Sequence, residues 1–106
     1  MAQAVSYNIA TEIPASYMEK LFAFMYTQYL VPQKQRFTNF YRETTDGVPF
    51  LSYLVLGAQG RQLLKVEVNG TVPIEVKIIS IAGAVSATVM EEAKQDVVIA
   101  VQIFEG

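Results

Sequence analysis

The sequence predicts an α+β fold in which one long N-terminal helix packs on an antiparallel meander sheet of four to six strands, with a short second helix near 86–95. Up to about residue 30, apolar residues recur at steps of three and four, which is typical of a helix. Beyond that point the apolar period falls to two, as in strands. The turns between successive strands are too short for parallel crossovers, so antiparallel pairing is expected. Residues 1–106 are expected to form a single α+β domain.

The N-terminal helix is predicted from about residue 16 to residue 30. Pro14 suits the first turn of a helix, and Ser16 followed by Glu19 has the spacing of a capping box. Pro32 should end the helix, because proline lacks the amide that would continue its hydrogen bonds.

Apolar side chains occupy most of the circumference of this helix, which predicts apolar cover on two sides. Phe22 and Met25 are three residues apart and share the face that we assign to the sheet. Tyr17 and Phe24 mark a second, nearly opposite face.

Strands are predicted wherever apolar and polar residues alternate between turn signals. Asp46-Gly47 and Asn69-Gly70 are dipeptides that favour tight hairpins. Pro73 is best accommodated near the start of a strand or on an exposed edge. The predicted strands cover 4–9, 36–44, 48–57, 61–68, 72–81 and, in a final run rich in Val and Ile, 97–104.

Residues 84–95 fit two structures. Thr88 with Glu91 has capping-box spacing, and Val89 and Met90 could face inward from a short helix. Val85, Ala87 and Val89 also alternate as a strand would, and of the two we favour the helix.

The composition excludes the commonest catalytic and metal-binding arrangements. The chain has no histidine, cysteine or tryptophan, so it can hold neither a Ser-His-Asp or Cys-His relay nor a zinc finger. Glu91-Glu92 is the one adjacent carboxylate pair, and neighbouring helix residues point about 100° apart. Gly57 and Gly60 precede a strand and not a helix, which excludes the nucleotide-binding loops. We expect no catalytic residue, no cofactor and no bound metal.

The apolar inventory is large for a small domain. Hydrophobic residues make up 52% of the chain and charged residues 17%, against about 25% in ordinary soluble domains. A small domain cannot bury all of this surface, which predicts a homo-oligomer, most simply a twofold dimer. The sequence therefore favours a non-enzymatic protein that acts through association. The alternative is a carrier of a small apolar ligand, or an enzyme, with a pocket between helix and sheet.

Aromatic residues of the helix and of the next strand are the candidates for such an interface or pocket. A tyrosine with a buried ring and a hydroxyl at the rim suits both uses. The candidate residues are Tyr17, Phe24, Tyr26, Tyr29, Phe37, Phe40 and Tyr41.

Charges are unevenly placed along the chain. Residues 32–44 carry three basic side chains against Glu43, for a net +2, and residues 84–106 carry four acidic ones against Lys94, for a net −3. These two segments could meet across a twofold axis. The basic residues from Lys34 to Arg42 alternate with aromatics, but three bases and an overall charge of −2 do not indicate nucleic-acid binding.

The sequence contains no run of about 18 apolar residues, which a transmembrane helix would need, so no transmembrane segment is predicted. Residues 1–10 lack the basic start and apolar run of a signal peptide, so a cytoplasmic location is expected.

A helix laid on an antiparallel meander resembles the arrangement of cystatins and monellin. Residues 54–57 followed by 64–68 resemble a cystatin hairpin. Tyr53 stands where that family's inhibitory loop has glutamine, so the resemblance implies the arrangement and not the inhibitory activity.

Overall fold

A five-stranded antiparallel sheet with helices on one face forms the protein. The computed structural model describes residues 4–81, 83 and 85–106. The strands are β1 (Ala4–Ile9), β2 (Phe37–Thr45), β3 (Val48–Leu56), β4 (Gln62–Asn69) and β5 (Ile74–Ser80). The α-helices are α1 (Met18–Phe24) and α2 (Ala87–Glu105).

The spatial order of the strands is β1-β5-β4-β3-β2, and every neighbouring pair is antiparallel. Strands β2 to β5 form a meander of three hairpins, while β1 pairs with β5 at the far edge. The predicted α+β content and antiparallel sheet are confirmed.

The predicted placement of the long helix is wrong. The longer helix is α2, which has 19 residues and lies at the C-terminal end, whereas α1 has seven. A helical run does occupy the predicted N-terminal region, but it continues from α1 as π-helical turns over Met25–Leu30. The predicted capping box does not form, because Ala15–Tyr17 is a 3₁₀ turn and the Glu19 carboxylate accepts a hydrogen bond from Thr44 instead.

The predicted last strand, 97–104, is also wrong, because these residues belong to α2. A strand would place residues 97, 99, 101 and 103 on one face. In the structure Val97 and Val101 are buried, whereas Ile99 and Ile103 are exposed, which is the four-residue period of a helix. The helix begins after Ser86, whose hydroxyl accepts a hydrogen bond from the Val89 amide. Residues 87–95 are helical, but the prediction of a short helix is wrong, because α2 continues to Glu105. Residue 84 of the range 84–95 lies outside the described residues.

The two predicted hairpin dipeptides behave differently. Asp46 and Gly47 have φ values of 54° and 78° and join β2 to β3 in a tight turn, as predicted. Asn69-Gly70 instead opens a four-residue connection, because β5 begins only at Ile74. A Cβ at Gly70 would lie 3.0 Å from Pro49 Cδ, so this glycine allows close packing between the connection and β3.

One core fills the space between the sheet and the helices. Leu64, Val66 and Val68 of β4 are buried, and the residues between them are only half-buried, so β4 alternates as predicted. Phe22 and Met25 are buried against this face of the sheet. Among the described residues, neither helix combines the length and apolarity that crossing a membrane requires.

Candidate functional site

A buried carboxylate of α2 is hydrogen-bonded to residues at the end of the first helical run and just after it. Asp96 of α2 is buried, and its carboxylate accepts two hydrogen bonds from the Arg36 guanidinium, at 3.3 and 2.9 Å. The Tyr29 hydroxyl donates to the same carboxylate at 3.0 Å. Arg36 lies in the basic segment and Asp96 in the acidic one. Part of the charge complementarity that suggested contact between two chains is therefore met within one chain.

Two further tyrosines lie near Asp96. The Tyr7 hydroxyl donates to the Lys94 carbonyl at 3.3 Å, and Tyr53 is fully buried in the core. Burial and the negative charge of Asp96 raise the pKa of Tyr29 to about 12. Burial first, and then the charge of Asp96, raise the pKa of Tyr53 well above its usual value. These hydroxyls hold their protons at neutral pH and cannot serve there as bases.

The Tyr53 hydroxyl is the exception in this cluster, because it is buried without a hydrogen-bond partner in the part of the chain that the structure describes. A buried polar group left unpaired costs about 1–3 kcal/mol. We expect Tyr53→Phe to raise the free energy of unfolding by about 1 kcal/mol, measured by urea denaturation. Tyr29→Phe, which removes the hydrogen bond to Asp96, should lower it by a similar amount. A Tyr53→Phe variant that is less stable than the wild type would contradict this assignment.

The predicted interface residues lie in several places and not on one surface. Phe37 is buried, with its ring edge-on to Tyr53 at 5.4 Å and 6.1 Å from Tyr29. Phe24 is half-buried, and its ring lies 5.6 Å from that of Phe104 in α2. For Phe24, the second apolar cover predicted for this helix is therefore supplied by α2 of the same chain.

The other four candidates lie nearer the surface. Tyr26 and Phe40 meet edge to face at 5.5 Å, on the side of the helical run that faces β2. Tyr41 is exposed and donates a hydrogen bond to Glu43 at 2.9 Å. Tyr17 is exposed, with the Lys20 ammonium 4.9 Å from the centre of its ring.

Strand β1 lies at one edge of the sheet and lacks the features that usually prevent an edge strand from pairing with another strand. Within the described residues it pairs with β5 alone, in an unbroken register from Ala4↔Ile79 to Ile9↔Ile74. It contains no charged residue, proline or glycine. Edge strands of natural proteins are ordinarily blocked by such residues or by bulges, because their free amides and carbonyls recruit other strands.

Strand β2, at the opposite edge of the sheet, has features that prevent pairing with a further strand. Strand β2 has a register break between Thr38 and Tyr41, with Asn39 at a φ of 56°. It also carries the charged pair Arg42 and Glu43. A bulge and adjacent charges are two of the devices that prevent pairing at an edge.

An apolar depression runs along β1 on the helical side of the sheet. It has a volume of about 390 Å³ and is lined by Val5, Tyr7, Val85 and Met90, among others. Val5 is 48% exposed although it belongs to the face that the helices cover elsewhere, so α2 reaches Tyr7 but leaves the Val5 end of this strand uncovered. Glu91 and Lys94 also line it.

Sequence reasoning identified β1 as a strand but not as the edge. The absence of charged residues in β1 could be read from the sequence. Its position at the edge could not, because that position depends on the order of the strands in the sheet. Within residues 4–81, 83 and 85–106, no three acidic side chains are grouped as a metal site would require. Comparison with protein-family models, with curated proteins and with solved structures gives no match.

Proposed function

We propose that this chain acts through association, as a non-enzymatic domain that dimerises by pairing β1 with β1 of a second copy. The observation that carries the proposal is the contrast between the two sheet edges. One edge is bulged and charged, and the other is straight, uncharged and bordered by exposed apolar surface. Antiparallel pairing would join two five-stranded sheets into one sheet of ten strands.

Self-pairing suits this edge because a twofold interface must be complementary to itself. An uncharged strand places no like charges opposite each other when it pairs with its own copy. A twofold axis perpendicular to the sheet would bring the α2 helices of both protomers to the same face, in opposite directions. Glu91 and Lys94, which have opposite charges, line the depression beside this edge, so like charges need not face each other there. The exposed Val5 side chain of each copy would be covered at the same seam, where the two β1 strands meet.

The test is the mass of the protein in solution. We expect light scattering at micromolar concentration to report twice the chain mass of 11.8 kDa. Val5→Lys should give 11.8 kDa with unchanged far-ultraviolet circular dichroism, because the ammonium would lose water where β1 of the second copy covers it.

Val48→Lys is the matched control. Val48 is also an exposed valine, at 36%, but it lies in the hairpin between β2 and β3, at the other side of the sheet. This variant should remain dimeric. A wild-type protein of 11.8 kDa, or a Val5→Lys variant that stays dimeric, would overturn the proposal.

A further inference from the structure

A cleft separate from the β1 edge lies between α1 and the hairpin of β2 and β3. Its volume is about 390 Å³, within the range of small-molecule sites. The apolar part of its wall is formed by Phe22, Pro49 and Phe50. Four charged side chains also line it, two acidic and two basic, namely Glu19, Glu43, Lys20 and Arg42.

The two acids of the cleft already have hydrogen-bond donors. Thr44 donates to Glu19 at 2.7 Å, and Tyr41 donates to Glu43 at 2.9 Å. These bonds use part of the accepting capacity of each carboxylate and fix its position. Each acid is therefore held in place by a neutral hydroxyl of the same chain and keeps its negative charge.

The two bases of the cleft have no carboxylate partner in the part of the chain described by the structure, where the ion pairs are Arg36–Asp96 and Lys65–Glu67. The carbon of the Arg42 guanidinium lies over the Tyr26 ring, 5.3 Å from its centre. Among the described residues the Arg42 guanidinium has no hydrogen-bond acceptor or carboxylate partner, so its N–H donors are available to a ligand. Lys20 likewise contacts the ring of Tyr17.

We propose that this cleft binds a small carboxylate with an apolar body, such as an arylalkyl acid, in each chain. The planar fork of Arg42 matches a carboxylate in a two-point contact, and Lys20 adds a second positive charge. The ring or alkyl part of the ligand packs on Phe50 and Pro49. This site does not depend on the proposed dimer, because all of its lining residues belong to one chain.

The experiment titrates phenylacetate into the isotopically labelled protein and follows backbone amide shifts by NMR. We expect saturable shifts confined to α1 and the hairpin of β2 and β3, with a millimolar dissociation constant. Phenylethanol, the neutral analogue of similar shape, should bind at least tenfold more weakly, because it lacks the charge that Arg42 recognises.

Arg42→Gln tests the residue that carries the proposal. It should weaken phenylacetate binding about tenfold, the loss of one charge-assisted contact, while the remaining amide spectrum stays that of the folded protein. Arg61→Gln, at an exposed arginine outside the cleft, should bind as the wild type does. Equal binding of phenylacetate and phenylethanol, the absence of saturable shifts, or unchanged binding by a folded Arg42→Gln variant would each overturn the proposal.

Discussion

Replacing Phe22 with alanine is expected to lower the free energy of unfolding by about 3–5 kcal/mol, measured by urea denaturation. Phe22 is 2% exposed and packs in the core between α1 and the sheet. The loss combines the transfer of a buried ring to water with the cavity left behind. Because a small domain has only about 5–15 kcal/mol of stability in total, this single change can unfold it.

Phe24→Ala is the matched control on the same helix. Phe24 is half-buried against the Phe104 ring, so its loss should cost about 1–2 kcal/mol, part aromatic contact and part burial. Equal losses for the two variants would mean that Phe24 belongs to the core as fully as Phe22 does.

Replacing Arg36 with alanine is expected to lower the free energy of unfolding by about 2–3 kcal/mol. The change leaves the buried Asp96 carboxylate with the Tyr29 hydroxyl but without its positive partner. Removing one member of a fully buried pair costs about 3–5 kcal/mol. We expect less here, because the Arg36 side chain is 43% exposed and water screens the interaction.

Lys65→Ala provides the comparison, because Lys65 and Glu67 form an ion pair at 3.4 Å on the open face of the sheet. A surface pair of this kind contributes about 0–1 kcal/mol. Urea denaturation of both variants at neutral pH separates the two cases. If Arg36→Ala costs no more than Lys65→Ala, the Asp96 cluster does not anchor α2.

The fold was predictable where a local sequence pattern is compatible with only one backbone structure. The turn at Asp46-Gly47 requires two residues with positive φ, and few dipeptides adopt it, so the hairpin of β2 and β3 follows from the sequence. The alternation in β4 fixes its inward face for the same local reason. The cleft was harder to predict, because Lys20 and Arg42 come from different elements and meet only in the folded chain.

The sequence by itself determined the α+β class, the antiparallel sheet, a first strand at 4–9 and a helical run ending near Pro32, because each depends on a local period or turn. Only the tertiary structure decided whether residues 97–104 form a strand or a helix. This Val- and Ile-rich run satisfies both a two-residue and a four-residue period, so propensity cannot choose between them. The choice between strand and helix depends on which part of the sheet the other elements leave uncovered. Strand β1 takes the free edge of β5, and α2 then buries Val97 and Val101 on the sheet face that α1 leaves open.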